Sequence, residues 1–200
     1  MMKTLPVMER FYTLQGEGAY QGQAAYFIRL GGCDVGCVWC DVKESWDVTK
    51  HPSVAIDSIV SDASKHGCKL AVVTGGEPLM HNCDSLTTAL KDNGFNVNIE
   101  TSGTHPLTGE WDWICFSPKK FKKPLPEFYQ TANELKVVVY HRSDLKWAEE
   151  HRSQMHQDCI FYLQPEWSVR DKVTPWIIDY IKDNPSWRLS LQSHKYVNIP

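Results

Sequence analysis

Apolar and polar residues alternate along the chain in two distinct patterns. Short runs of branched and aromatic residues are typical of buried strands, whereas apolar residues that return every three or four positions are typical of helices packed on one face. The strand pattern occurs at residues 24–30, 70–74, 95–100, 111–116, 134–140, 159–164 and 187–192. Helix-like stretches lie between several of these runs, and this alternation predicts parallel strands in an α/β fold.

The helical pattern occurs in the stretch after Ser53 and at residues 82–93, 143–151 and 172–183. Ser53 is a candidate N-cap, because a serine hydroxyl can accept a hydrogen bond from a free amide of the first turn. The apolar residues that follow it share one helical face: Ile56, Ile59, Val60 and Ala63. Pro175 lies inside the last stretch, and proline is favoured only in the first turn of a helix. We therefore expect that helix to begin shortly before Pro175.

One connection between predicted strands limits the architecture. Residues 101–110 contain Gly103, Pro106 and Gly109, a composition that opposes a helix, and ten residues are near the lower limit for a parallel crossover. A complete eight-fold β/α barrel takes about 250 residues, whereas this chain has 200. We therefore expect residues 1–200 to form a single α/β domain, either a reduced, partial parallel β/α barrel or an open, strongly curved parallel sheet.

Polar segments follow six of the predicted strands. They lie at residues 31–33, 74–78, 100–103, 117–119, 164–166 and 192–194. In parallel α/β folds the ligand site lies at the carboxyl ends of the strands. The six segments therefore predict one shared ligand site at that edge of the sheet.

The composition excludes several classes of protein. The chain is 42% hydrophobic and 22% charged, which is typical of a globular protein and not of a disordered or fibrous one. Its net charge of -3 supplies no basic field for nucleic acid or for a membrane surface. No apolar run approaches the roughly 20 residues that span a bilayer, and residues 1–10 lack the apolar region of a signal peptide. We expect a cytoplasmic protein.

Three of the seven cysteines form a Cys-x3-Cys-x2-Cys motif after the first predicted strand: Cys33, Cys37 and Cys40. Disulfides are rare in the cytosol, so the motif indicates metal binding or catalysis. Thiolates suit an iron–sulfur cluster or zinc. Three ligands on a four-iron cluster leave one iron open to a chelating ligand, whereas a zinc site would need a distant fourth ligand such as His51 or Cys68. We expect the other cysteines to be small buried residues: Cys68, Cys83, Cys115 and Cys159.

The cysteine motif, followed by Gly75-Gly76-Glu77-Pro78 after the next strand, resembles the radical S-adenosylmethionine (SAM) superfamily. Further segments narrow the resemblance to the 7-carboxy-7-deazaguanine synthase family. They lie at residues 11–18, 27–33, 73–78, 99–105, 116–119 and 191–200, so the resemblance extends from Glu9 to Pro200. The cysteine motif is typical of the whole superfamily, whereas the Leu-Gln-Gly-Glu-Gly opening and the Gln-x-His-Lys ending are typical of this family.

The resemblance implies a reaction. A [4Fe–4S] cluster would bind SAM through its open iron and cleave it to a 5′-deoxyadenosyl radical. 6-Carboxy-5,6,7,8-tetrahydropterin would then lose a hydrogen atom from C6, contract its ring and release ammonia to give 7-carboxy-7-deazaguanine, a precursor of queuosine and other 7-deazapurines. The resemblance also implies a homodimer and an electron donor such as flavodoxin or ferredoxin.

The resemblance also implies site residues. The cluster ligands are Cys33, Cys37 and Cys40. The implied substrate contacts are Leu14, Gln15, Gly16, Arg29, Thr74, Glu100, His194 and the carboxylate of Pro200. The implied SAM-binding residues are Gly76, Ser117, Pro118, Lys119, Gln164, Pro165, Glu166 and Trp167. Physically, a carboxylate such as Glu100 can accept two hydrogen bonds from the amino-pyrimidinone edge of a pterin, and Arg29 or His194 can hold the substrate carboxylate.

One position departs from the family pattern. The family commonly has threonine or serine two residues after the last cysteine, where a hydroxyl helps to hold Mg²⁺, but this chain has Val42. Mg²⁺ prefers oxygen ligands. Either the substrate, water and Asp41 suffice as ligands, or this protein depends less on magnesium.

Two alternatives use the same cysteines. Another small radical SAM enzyme, such as an activase that installs a glycyl radical on a partner protein, shares the cysteine loop but lacks the opening and ending described above. A binding module or electron carrier stabilised by zinc or an iron–sulfur cluster would not be an enzyme.

Overall fold

The computed structural model describes residues 3–200 and contains one open sheet of nine strands. The strands are β1 (Thr4–Leu14), β2 (Ala24–Leu30), β3 (Ser53–Ala55), β4 (Leu70–Gly75), β5 (Asn96–Thr101), β6 (Trp113–Phe116), β7 (Glu134–Val139), β8 (Ile160–Pro165) and β9 (Trp187–Leu189). Their spatial order is β3-β1-β2-β4-β5-β6-β7-β8-β9. All pairs from β2 to β9 are parallel. The expected partial barrel, a curved parallel sheet that does not close, is confirmed.

The helices lie between the strands along the chain, except the last, which follows β9. They are α1 (Ile56–Ala63), α2 (Asp84–Asp92), α3 (Phe128–Thr131), α4 (Ser143–Arg152), α5 (Arg170–Asp183) and α6 (Ser193–Val197). No helix lies between β5 and β6, as the composition of that connection predicts. No helix among residues 3–200 is both long and apolar enough to cross a membrane.

Two details of the predicted helices are wrong. Ser53 does not cap α1: it lies in β3, where it pairs with β1, and Ala55 precedes the helix. Helix α5 begins at Arg170, so Pro175 lies beyond its first turn. The buried side chains of Val173 and Ile177, on either side of the proline, pack into the core. This packing favours the helix despite the hydrogen bond that proline removes.

The strands present different chemistry on their two faces, because successive side chains of a strand point in opposite directions. On β7, Leu135, Val137 and Val139 pack into the apolar core with residues of α4 and α5. The alternate positions, Lys136 and Val138, line the interior of the curved sheet. The helices thus cover one face, and the concave face is free to carry polar groups.

The sequence pattern did not reveal β1, which pairs antiparallel with β2 and β3. A shift in register between Val7 and Glu9 interrupts this strand. Before the shift, Leu5 and Val7 pack on the helix side, whereas after it Phe11 packs in the interior against Phe27. Because the bulge exchanges the two faces, β1 as a whole has no simple alternation of apolar and polar residues.

The loop between β1 and β2 crosses the interior of the sheet. The amide of Gly18 donates to Ser190 Oγ after β9 (3.0 Å), and the amide of Ala19 donates to Glu134 of β7 (3.1 Å). Gly18 adopts a φ of 61°, and a side chain there would overlap the Glu134 carboxylate. The loop therefore connects the antiparallel edge of the sheet to its last parallel strands.

Candidate active site

A cavity of about 250 Å³ opens at the carboxyl ends of the parallel strands, whereas the next cavity holds only about 10 Å³. All six polar segments predicted from the sequence contribute residues to the larger cavity. Among the predicted site residues only Pro118 is absent from its wall, and this buried proline lies between two residues that do line it, Ser117 and Lys119. The structure thus gathers the predicted residues around one cavity.

The three cysteines of the motif line one side of this cavity. Burial raises the pKa of Cys33 and raises that of Cys37 to about 11, and the nearby Cys40 thiol adds to both shifts electrostatically. Val42 donates its amide to Cys40 Sγ (3.4 Å), which fixes the end of the loop. Three soft donors at one cavity wall fit an iron–sulfur cluster, whose thiolates bind different irons.

The alternative zinc site finds no support in the described residues. Between Lys3 and Pro200 no three histidine, cysteine or acidic side chains converge on a point where they could hold one metal ion. Cys68 packs in the apolar core beneath α1, on the other face of the sheet. His51 Nε2 lies 3.0 Å from the carbonyl oxygen of Glu44. Neither residue completes a tetrahedral site with the motif.

The glycine loop after β4 packs directly against the cysteine loop. A Cβ on Gly76 would lie 2.3 Å from the carbonyl oxygen of Gly32 and 2.6 Å from Cys33 Cβ. The next residue, Glu77, donates its amide to the same Gly32 oxygen (2.8 Å). Only glycine fits at position 76, because its lack of a Cβ allows the two backbones to approach closely.

Glu77 is a positioning residue and does not line the cavity, although it belongs to the recognised Gly-Gly-Glu-Pro motif. Its side chain is 1% exposed. One carboxylate oxygen accepts hydrogen bonds from Thr101 Oγ1 (2.6 Å) and the Leu79 amide (3.1 Å), and the other accepts from the amide and hydroxyl of Ser102. Glu77 therefore fixes the loop after β4 against the loop after β5.

A charged network occupies the part of the cavity nearest to β5 and β7. Lys136 of β7 is 3% exposed; it forms an ion pair with Glu17, and its Nζ lies 3.4 Å from Glu100 Oε2. Gln15 Nε2 donates to Glu100 Oε1 (2.9 Å), and Gln192 Nε2 donates to Glu17 Oε1 (2.9 Å). Burial by itself would raise the pKa of Glu17, but the charge and hydrogen bond of Lys136 prevail and lower it to about 2.

The segment that begins α6 closes another side of the cavity. Ser193 donates its amide and its hydroxyl to the carbonyl oxygen of Gly16, both at 2.9 Å. The His194 ring packs so closely on Gly16 that a Cβ there would lie 2.0 Å from Nδ1. Burial lowers the pKa of His194, so its imidazole is neutral at neutral pH. Pro200 also lines the cavity, and its oxygen accepts a hydrogen bond from Thr13 (3.2 Å).

Arg29 and Thr74 lie opposite each other on β2 and β4. Arg29 Nε donates to the carboxylate of Glu9 on β1 (2.6 Å), which accounts for a charged residue in an otherwise apolar strand. A guanidinium has five N–H donors, so this bond leaves further donors for a ligand. Both residues line the cavity, together with Leu14.

The predicted SAM-binding residues form the remaining wall. Lys119 Nζ donates to the carbonyl oxygen and hydroxyl of Ser117. Gln164 accepts a hydrogen bond from Ser190 Oγ (2.8 Å), and Glu166 accepts from the amide and hydroxyl of Ser168. These bonds hold the side chains in place at the cavity edge. Pro165, between Gln164 and Glu166 in the chain, and Trp167, directly after Glu166, line the same edge.

The predicted site residues do not include three members of the charged network, Glu17, Lys136 and Gln192, although Gln192 lies in one of the six predicted polar segments. Each has a signal that the sequence contains. Lys136 lies in an apolar strand, where an unpaired charge is unfavourable, and Glu17 belongs to the recognised opening motif. Gln192 was assigned to the end of the last strand, but β9 ends at Leu189 and Gln192 lies in the loop that precedes α6.

Comparisons with known proteins agree with this arrangement. The model of the radical SAM superfamily matches residues 27–116, from β2 to the end of β6. A protein of Flavobacterium psychrophilum named 7-carboxy-7-deazaguanine synthase is 55% identical over 196 residues, which cover 98% of this chain and 93% of that protein. A protein of the same name from Synechocystis is 45% identical and covers 97% of this chain and 93% of its own length.

The fold has a solved counterpart. The crystal structure of QueE from Escherichia coli superposes with a TM-score of 0.86 at 32% sequence identity. The match covers 96% of this chain and 95% of that one. A 7-carboxy-7-deazaguanine synthase of Escherichia coli is 36% identical over 221 residues and covers 97% of this chain and 98% of its own. These relatives favour the synthase reading over that of a glycyl-radical activase or a non-enzymatic module.

Proposed function

The chain belongs to the 7-carboxy-7-deazaguanine synthase family of the radical SAM superfamily, and we propose that it is the lyase that converts 6-carboxy-5,6,7,8-tetrahydropterin into 7-carboxy-7-deazaguanine and ammonia. The observation that supports this function is the single cavity shared by the cysteine loop, the glycine loop and the polar residues of β5 and α6. The proposal takes residues 1–200 as one radical SAM domain acting in queuosine and 7-deazapurine biosynthesis.

Cys33, Cys37 and Cys40 would hold a [4Fe–4S] cluster, and Gly76, Ser117, Lys119 and residues 164–167 would hold SAM beside it. When bound, the cluster and SAM supply the radical that takes hydrogen from C6 of the substrate. The contribution of the protein is to position the substrate and to exclude water from the cavity. Gly76 supports this role because it lines the cavity at the point where the two loops meet.

The cavity residues that are assigned neither to the cluster nor to SAM suit a carboxylated pterin. Glu100 can accept two hydrogen bonds from the amino-pyrimidinone edge, and Gln15, which already donates to Glu100, fixes the carboxylate. The guanidinium of Arg29 would pair with the substrate carboxylate through the N–H donors that Glu9 leaves free. His194 is neutral and would contribute a hydrogen bond to the same ligand. Leu14, Gly16, Thr74 and Pro200 would shape the rest of the pocket.

The proposal extends to partners. We expect an external electron donor such as flavodoxin or ferredoxin, because reductive cleavage of SAM consumes an electron. A homodimer and a cytoplasmic location also belong to the proposal.

Anaerobic turnover tests the function directly. The protein, reconstituted with iron and sulfide, is incubated with SAM, a reductant and 6-carboxy-5,6,7,8-tetrahydropterin, and the products are separated by liquid chromatography and mass spectrometry. We expect 7-carboxy-7-deazaguanine and ammonia in equal amounts. Cleavage of SAM without the deazaguanine product would indicate a different radical SAM enzyme, and a protein that assembles no iron–sulfur cluster would contradict both readings.

Magnesium should matter less here than in relatives with a hydroxyl at the position of Val42. The Val42 side chain lines the cavity without an oxygen, and the neighbouring carboxylate of Asp41 pairs with Lys195 (2.6 Å). We expect product formation to change less than about threefold between chelated and magnesium-supplemented buffer, since oxygen ligands are what the ion prefers. Val42→Thr should increase that response. Strong dependence in the native protein that Val42→Thr leaves unchanged would contradict the prediction.

A further inference from the structure

Lys136 is the only cation among the residues of the charged network, and it lies between two carboxylates that come from different parts of the chain. Glu17 belongs to the loop that crosses the interior, and Glu100 belongs to β5. Both form ion pairs with Lys136 Nζ. Lys136 itself is fixed on β7, between strands on both sides, and its side chain is 3% exposed.

The two carboxylates need this cation. Like charges within a few ångströms of one another raise the pKa of one member of the pair unless an opposite charge lies between them. Removal of one member of a buried ion pair is costly because the remaining charge has no partner. Lys136 therefore supplies the positive charge that Glu17 and Glu100 share on one side of the cavity.

The other charged and titratable groups around Lys136 do not replace it. Glu134 lies two residues away on the same strand, and burial raises its pKa. Cys115 on β6 is buried beside Glu134, and burial raises its pKa well above the ordinary value. His194 is neutral, and burial lowers the pKa of Lys119, whose Nζ is bound to Ser117. No other side chain of the described residues forms an ion pair with Glu17 or Glu100.

We propose that Lys136 is a positioning residue for the pterin site: its ion pair with Glu100 orients that carboxylate toward the amino-pyrimidinone edge, and its ion pair with Glu17 fastens the Gln15–Glu17 segment over the bound substrate. This inference rests on the proposed function, because it assumes a ligand whose donor edge faces Glu100. Glu17 acts in the same unit, since Gln192 and Lys136 bind its two oxygens. Lys136 acts through these carboxylates and not on the reacting atoms.

Lys136→Gln removes the charge and keeps a hydrogen-bond donor. Without Lys136 the pKa of Glu17 rises, because burial raises it and the charge of Lys136 no longer opposes that effect. The dissociation constant of 6-carboxy-5,6,7,8-tetrahydropterin should then rise at least tenfold at pH 7.5 and rise further toward pH 6. In the native protein it should vary less than threefold from pH 6 to pH 8.5, since the pKa of Glu17 is about 2.

The measurement is equilibrium dialysis of the substrate against anaerobically reconstituted protein with SAM and without reductant, so that binding is observed without turnover. Lys136→Arg keeps the charge, so its dissociation constant for the substrate should vary with pH as little as that of the native protein. Lys91→Gln is the matched control: it removes a lysine paired with Asp112 outside the cavity and should leave the dissociation constant unchanged at every pH. If Lys136 served only to stabilise the fold, Lys136→Gln would lower thermal stability without making the substrate affinity depend on pH.

Glu17→Gln tests the inference independently of whether Lys136→Gln folds, because it leaves Lys136 paired with Glu100. Its substrate affinity should stay independent of pH between 6 and 8.5. A pH-dependent affinity in Glu17→Gln, or a Lys136→Gln profile parallel to that of the native protein, would overturn the inference while leaving the proposed function intact. Failure of the native protein to bind the pterin at any pH would overturn the proposed function and this inference with it.

Discussion

Alanine in place of Cys33, Cys37 or Cys40 should abolish assembly of the iron–sulfur cluster and with it all product formation. A four-iron cluster held by three thiolates has no ligand to spare, and no other cysteine of residues 3–200 lines the cavity. Anaerobically reconstituted native protein should contain roughly four irons per chain. Each variant should retain only a small fraction of that iron, and its SAM cleavage should fall to background.

The remaining cysteines supply matched controls. Cys83 is fully buried, and burial raises its pKa to about 12; Cys159 has its pKa raised to about 12 by the same cause. Neither thiol lines the cavity that contains the cysteine motif, so neither can act as a ligand there. Cys83→Ala and Cys159→Ser should therefore keep the native iron content. Full iron and full turnover in any variant of Cys33, Cys37 or Cys40 would show that the ligands are assigned wrongly.

The sequence was sufficient for the parallel part of the sheet, because most of those strands are short runs rich in branched and aromatic residues. The strands β2, β4 and β7 begin where the pattern predicts, at Ala24, Leu70 and Glu134. The carboxyl ends of these strands carry the recognised polar segments, so the location of the cavity followed from topology alone. Local pattern and global fold agree in this part of the chain.

The antiparallel edge was not predictable in the same way. In β1 the bulge near Glu9 moves the apolar residues from one face to the other, so a test for strict alternation fails. Pro6 lies at the pairing of β1 with the three-residue strand β3, and proline in an apolar run argues against a central strand. The strand is recognisable only from its pairing with β2 and β3.

The charged network was hidden for a related reason. Lys136 and Glu17 are separated by more than a hundred residues, and their pairing depends on a loop that crosses the sheet. A period of two along β7 places Lys136 on the concave face, but it does not reveal which carboxylate meets it there. The same holds for Arg29, whose partner in the structure is Glu9. The partners of buried charges can be identified only from the tertiary structure.

Gly76→Ala should displace the cysteine loop and reduce product formation about a hundredfold, since a misplacement of about 1 Å at a reacting centre has an effect of that size. The added Cβ would lie 2.3 Å from the carbonyl oxygen of Gly32 and 2.6 Å from Cys33 Cβ. These are backbone and near-backbone atoms, and the Gly32 oxygen is already held by the amide of Glu77. The loops after β2 and β4 must separate, and Cys33 moves with the first of them.

The effect of Gly76→Ala can also be followed by melting temperature, SAM affinity and iron content. Overpacking of this kind costs about 1–3 kcal/mol of folding free energy, which lowers the melting temperature by roughly 2–12 °C in a chain of this size. The dissociation constant of SAM should rise together with a loss of iron, because Gly76 lies where the SAM-binding loop meets Cys33. Gly67→Ala is the matched control: no atom lies within 4 Å of the added Cβ, so iron content, SAM affinity and turnover should equal those of the native protein. If Gly76→Ala matched Gly67→Ala in all three, contact between the two loops would not determine where the cluster and its cofactor bind.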